Sequence, residues 1–238
     1  MSDRTTAIQA LLETGEVTRH RPLASYNHTL LTELAGADSQ TCLAVYKPRD
    51  GEAPLSDFPS KSLYIRERLA YLVSESLGWG LVPLTVIRDG PFGIGSMQLF
   101  IGAQKGRHYF NLLAEHKEAM IRITVFDLII NNCDRKGGHA LADENGRIWA
   151  IDHGLSFLAG PKVRTVMWDL MDEPLSQEIK KEVGTLCQDA GLIETLSSTL
   201  SRSEVQAFHK RIESLMESPT LSIQRFSDPY RPFPWPTI

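Results

Sequence analysis

Between Ile121 and Ile130 the chain carries apolar side chains on every side of what would be a helix, with Ile121, Val125, Phe126, Leu128, Ile129 and Ile130 the main contributors. A helix with no polar face has none to give to water, so it must lie inside a core built by other elements. Asp127 interrupts this run, and a buried carboxylate without a hydrogen-bonding partner is costly, which makes Asp127 a structural anchor. With 238 residues, 42% of them hydrophobic, the chain can build one large core or two modest lobes, but not several independent domains.

The elements before this helix read as sheet. Leu30–Leu34 and Thr41–Tyr46 flank the turn-forming residues Gly36-Ala37-Asp38-Ser39, a β-hairpin whose second strand delivers Lys47. A loop rich in Pro, Gly, Asp and Ser covers 48–60. From Lys61 the spacing of Leu63, Leu69, Leu72, Val73 and Leu77 predicts a helix ending near Gly78. Two more strands, Leu81–Arg88 and Gly95–Ile101, flank the turn at Asp89-Gly90-Pro91. Beyond Tyr109 the pattern is helical to Asn132. A polar turn covers Cys133 to His139, a short strand pair follows at Ala140–Ala142 and Ile148–Ile151, and helices are expected at about 176–190 and 203–217. Sheet first and helices second imply an α+β, two-lobed chain: residues 1–102 as a sheet lobe, 103–226 as a helical lobe, and 227–238 as an extended tail with four prolines.

A formal charge of -4 argues against an extensive nucleic-acid groove, while small molecules, proteins and lipid headgroups stay open as partners. The first residues lack a signal-peptide core, and no segment has the apolar length of a membrane span, so a cytoplasmic location is expected. Cys42, Cys133 and Cys187 are widely separated and are expected as reduced thiols.

Four residues stand in the order that phosphoryl transfer from ATP requires. Lys47 ends a strand and supplies a cation for phosphate, Glu67 follows in a helix as its partner, Asp134 sits in the polar turn, and Asp152 follows a strand. Each alone has an ordinary reading: a solvated lysine, a charged helix face, or turn residues. Their succession is the informative part.

The motifs Val45-Tyr46-Lys47-Pro48, Arg66-Glu67 with Ala70-Tyr71, Leu81-Val82-Pro83, Gly95-Ser96-Met97-Gln98-Leu99-Phe100, Asn132-Cys133-Asp134-Arg135 and Ala150-Ile151-Asp152-His153-Gly154-Leu155-Ser156-Phe157 resemble successive motifs of the phosphatidylinositol 3-/4-kinase family. The likeness is strongest to its type II 4-kinase branch and to small bacterial kinase-like proteins. The resemblance implies a protein-kinase-like fold using ATP with Mg²⁺ or Mn²⁺. It makes Lys47 the phosphate-binding lysine, Glu67 its partner, Asp134 the catalytic-loop aspartate and Asp152 the metal-binding aspartate. Gln98, Leu99, Phe100 and Ile101 become a hinge meeting adenine through its backbone, and Arg135 a cation beside the transferring charge.

Three departures accompany the resemblance. His139 stands where the family has a metal-binding asparagine, and since imidazole suits softer ions than Mg²⁺, it either shifts the preference towards Mn²⁺ or weakens the second metal site. The loop expected over the phosphates, 24–29, has no glycine, leaving Ser25, Asn27 and Thr29 to contact phosphate. The segment after Phe157 is too short for an extended substrate platform, so a lipid acceptor is not implied. His153 and Cys133 read as structural, and the Trp235 tail as packed on its own lobe. A phosphotransferase acting on an unknown hydroxyl of a protein, small molecule or lipid is the first reading. A nucleotide-binding pseudokinase, a metallohydrolase built on Asp134, His139, Asp152 and His153, and AMP transfer from a reversed nucleotide are the alternatives.

Overall fold

In a computed structural model describing residues 3–37 and 39–238, the chain divides into two units, one formed by residues up to Tyr71 with Pro83–Ile101, the other by Leu72–Val82 with Gly102–Ile238. Asp38 of the expected hairpin turn lies outside the described residues.

The first unit opens with helix α1 (Asp3–Thr14) and strand β1 (Glu16–Pro22), neither of them expected from the sequence. β1 is polar and largely exposed, so it carries no period-two signal. Strands β2 (Leu30–Ala35) and β3 (Thr41–Pro48) form the expected hairpin, and alternation puts Leu30, Thr32 and Leu34 of β2 and Ala44 and Tyr46 of β3 into the core. Helix α2 (Leu63–Ser76) follows. Strands β4 (Thr85–Gly90) and β5 (Gly93–Leu99) complete an antiparallel sheet in the order β1-β2-β3-β5-β4. Arg88 fastens α1 to this sheet by donating from Nη1 to the carbonyls of Leu12 (3.3 Å) and Gly15 (2.8 Å).

Helix α2 starts on an unusual cap. The Glu52 carboxylate, far upstream, accepts from the amides of Leu63 (3.0 Å) and Tyr64 (2.8 Å), satisfying two of the donors that a helix N-terminus leaves open.

Where β5 pairs with β3, Gly95 has no room for a side chain. A Cβ there would stand 2.4 Å from the Lys47 carbonyl and 2.7 Å from the Tyr46 ring. Gly95→Ala must therefore push the two strands apart beside Lys47. We expect a loss of roughly 1–3 kcal/mol, read as a lower urea midpoint with unchanged slope.

In the second unit, helices α3 (Tyr109–Leu112) and α4 (Lys117–Ile130) precede strands β6 (Ala140–Ala142) and β7 (Ile148–Ala150), which pair antiparallel. Every residue of α4 from Ile123 to Ile130 is buried, as its all-round apolar pattern requires. Helices α5 (Gln177–Thr185), α6 (Ala190–Thr199) and α7 (Arg202–Glu217) follow. The single helix expected at 176–190 stops earlier, because Asp189 caps a separate α6 by accepting from the Leu192 amide (3.0 Å). At the far end of α4, Asn131 adopts a left-handed conformation and its amide nitrogen donates to the carbonyls of Leu158 and Gly160, both at 2.7 Å.

Candidate nucleotide and phosphoryl-transfer site

In the first unit, β3 delivers Lys47 and α2 delivers Glu67, and the two form a salt bridge. Glu67 is almost wholly buried at 3% side-chain exposure, while Lys47 keeps 23%. A carboxylate held this dry is stable only while its cation stays with it.

The loop before β2 commits two of its polar side chains to contacts within the protein. Thr29 is buried and its hydroxyl donates to Ser25 Oγ (3.2 Å), while Asn27 Oδ1 accepts from the Ala53 amide (2.9 Å). Ser25 is the exposed member of the three. At the expected hinge, Gln98 is buried and donates to Thr85 Oγ1 (2.8 Å). The amides of Leu99 and Phe100 already donate to the carbonyls of Leu84 (2.8 Å) and Leu43 (2.9 Å). Adenine recognition by those two donors is therefore ruled out by sheet pairing, and Ile101 becomes the first hinge residue whose amide makes no hydrogen bond among the described residues.

In the second unit, Asp134, His139 and Asp152 come together on two adjoining turns. Burial pushes the Asp134 carboxyl up to about 6, and the Asp152 charge adds to the rise, against the opposing pull of Lys136 and Arg164. Lys136, two residues on, reaches Asp134 with its Nζ 3.2 Å from Oδ2. The sequence reading assigned Lys136 no part; the only signal for it was a cation spaced two residues from a candidate base. His139 Nε2 stands 3.4 Å from Asp152 Oδ2, and Asp152 is about half exposed with a left-handed φ of 63°. A non-glycine residue is found there infrequently, and Asp and Asn adopt it most readily.

Arg135 does not stand beside the transferring charge. It is fully buried, and its guanidinium grips Asp127 of α4 by Nε to Oδ2 (2.7 Å) and Nη2 to Oδ1 (2.8 Å). The same guanidinium donates from Nη1 to the carbonyls of His139 and Ile151, both at 3.0 Å, and lies 2.7 Å from His153 Nε2. Arg135 thus ties the Asp134–His139 turn to the turn that carries Asp152. Asp127 is the anchor that its burial demanded, accepting also from Asn132 Nδ2 (2.9 Å). His153, read as structural, packs its ring against Phe126 and faces Arg135.

Among the described residues no three carboxylate, imidazole or thiolate groups gather as a metal-holding cluster. Asp152 with His139 is a two-donor set. That suits an ion taking its remaining ligands from phosphate oxygens and water. In a neutral ring His139 can ligate through Nε2 only if Nδ1 carries the proton, which would end the long 3.5 Å contact that Nδ1 now accepts from the Lys136 amide.

Comparison with known proteins fits this geometry. No protein-family model matches the chain. Protein Rv2133c of Mycobacterium tuberculosis is 36% identical, with 96% of this chain and 95% of that protein aligned. The chain belongs to the Rv2133c family. Solved structures resembling it include a hydra Fam20 in complex with sugar (TM-score 0.58, 14% identity, 91% of this chain and 89% of that one). The golgi casein kinase (0.54, 12%, 90% and 75%) and the Helicobacter pylori proinflammatory kinase CtkA (0.50, 12%, 88% and 94%) are similar too. This chain therefore has an α+β, two-lobed, protein-kinase-like fold, with a five-stranded antiparallel sheet in the first unit and mainly helices in the second. No helix among the described residues is long and apolar enough to cross a membrane.

Proposed function

We propose that this chain is an ATP- and divalent-metal-dependent phosphotransferase of the kinase-like type, with the phosphatidylinositol 3-/4-kinase motifs as its sequence signature. The observation that supports this reading best is the buried Lys47–Glu67 ion pair. A fold has little reason to bury a helix carboxylate beneath a strand-end lysine unless that lysine is needed in one fixed position.

In this reading Lys47 steadies the nucleotide phosphates and Glu67 holds Lys47 in place. Asp152, with His139, would hold Mg²⁺ or Mn²⁺, which when bound neutralises phosphate charge. Asp134 takes the proton of the acceptor hydroxyl, a task served by a carboxyl whose value near 6 lies close to working pH. Lys136, paired with Asp134, stands where charge develops on the transferring group. Ile101 offers its backbone to adenine, and Ser25 is the loop side chain exposed enough to meet phosphate. Protein and carbohydrate hydroxyls are the acceptors to try first, since casein and a sugar figure in the descriptions of the similar structures.

A nucleotide-binding pseudokinase is the second reading. It is favoured by the engagement of Thr29, whose hydroxyl already donates to Ser25 within the loop and is thereby taken from phosphate.

A thermal-shift titration with ATP tests the proposal, because a ligand that binds only the folded chain must raise Tm. ATP with Mg²⁺ or Mn²⁺ is expected to raise Tm in the wild type and to lose most of that shift in Asp152→Asn. Absence of any shift in the wild type would remove the nucleotide assignment.

A further inference from the structure

The segment after α7 runs back along the second unit and ends on the turn that carries Asp134. After pairing with residues 172–175 it pairs with residues 163–165: the Val163 amide donates to the Phe226 carbonyl, the Asp228 amide to the Val163 carbonyl and the Thr165 amide to the Pro232 carbonyl, each at 3.0 Å. Arg164 reaches Asp228 Oδ2 at 3.1 Å, and the Trp168 and Phe233 rings lie 5.8 Å apart. Residues 163–165 are themselves laid on the catalytic turn, since the Arg135 amide donates to Arg164 (2.9 Å) and the Arg164 amide to Asn132 (3.2 Å).

The last contact is the telling one. The Gly137 amide donates to the Thr237 carbonyl at 2.7 Å. Gly137 is the residue after Lys136, whose ammonium sits on the Asp134 carboxylate, and it follows Asp134 by three positions, a span of at most roughly 11 Å. The turn is bare at that point. A Cβ on Gly137 would stand 2.9 Å from the Phe110 ring and an ordinary 3.4 Å from the Thr237 carbonyl, so glycine is what lets Phe110 pack on the turn beside the tail.

Of the other hydroxyl side chains in the tail, Ser227 is buried and donates to the Gln224 carbonyl (3.2 Å), and Tyr230 is 92% exposed. Thr237 is half-buried and is the one whose own backbone is held on the Asp134–His139 turn.

We propose that Thr237 is an intramolecular phosphoryl acceptor, bound in cis as an extended, proline-flanked polypeptide. The inference rests on the phosphotransferase reading and adds a substrate class to it. In the step, Thr237 Oγ1 forms a bond to the γ-phosphorus of ATP. The bond from that phosphorus to the bridging oxygen breaks, ADP leaves with the electron pair, and the hydroxyl proton passes to the Asp134 carboxylate.

The test uses the full chain, phosphatase-treated and then incubated with ATP and Mg²⁺ or Mn²⁺, with intact mass, peptide fragmentation and ADP release as readouts. A single phosphoryl increment that fragmentation places on Thr237, at a rate unchanged by diluting the protein, is expected. It should vanish in Thr237→Val and persist in Thr237→Ser. Release of ADP with Thr237 unmodified, modification elsewhere, or a rate that falls on dilution overturns the inference while leaving the phosphotransferase reading standing. No consumption of ATP overturns both.

Discussion

Arg135→Met is expected to remove a large share of the chain's folding stability. The substitution keeps volume but strands the Asp127 carboxylate in the core, where it now accepts two guanidinium bonds at 2.7 and 2.8 Å. Breaking a buried ion pair on one side costs roughly 3–5 kcal/mol, a large share of the roughly 5–15 kcal/mol that holds a typical domain together. The carbonyls of His139 and Ile151 also lose their donor. Removing both charges in Asp127→Leu/Arg135→Met should recover part of that loss, because no uncompensated charge remains. Urea denaturation followed by circular dichroism reads both variants. A single variant as stable as the wild type would show that the guanidinium is not what joins the two turns.

Asp134→Asn is expected to lower phosphoryl transfer by roughly 10²–10⁴-fold, the usual contribution of a positioned general base. The same change should stabilise the fold at neutral pH. The Asp134 side chain is 24% exposed and its carboxyl is pushed up to about 6, well above the value of about 3.9 that an aspartate has in an unfolded chain. Below pH about 4 the group is protonated in both states and costs nothing. As pH rises towards 6 the unfolded chain ionises freely while the folded chain resists, so folding loses up to roughly 2–3 kcal/mol, a penalty that levels off above 6. Asparagine cannot ionise and escapes it. Its Tm advantage over the wild type should therefore be absent at pH 3.5, grow through pH 5 and be constant from 7 to 8. An advantage already full at pH 3.5 would point to packing rather than to charge.

The parts of this molecule that could be read in advance are those where one local pattern decides the outcome. The all-round apolar run made α4 a buried helix, and period-two alternation on either side of Gly36 made the β2–β3 hairpin. Lys47 and Glu67 could be matched because a strand end and the next helix stand at a recognisable spacing. Strand β1 escaped because its side chains face solvent on both sides, so nothing in Glu16–Pro22 alternates. Arg135 was misread for a different reason. Its place beside the transferring charge was what the resemblance implied, and its burial depends on Asp127, eight residues earlier on another element. Pairings of that kind are settled by tertiary packing, not by local sequence. The amides of Leu99 and Phe100 are a similar case, since only the strand register shows that Leu84 and Leu43 already take them.

The Glu52 cap on α2 turns residues 53–62 into a noncovalent ring, closed at one end by the chain and at the other by two hydrogen bonds to Leu63 and Tyr64. The entropy of closing such a ring grows only with the logarithm of its length, about 0.6 kcal/mol for each doubling. Insertions into this stretch therefore cost little and end at the same anchor. Glu67 lies one helical turn beyond that anchor, so relatives in which the loop has grown or shrunk can keep the lysine's partner in register.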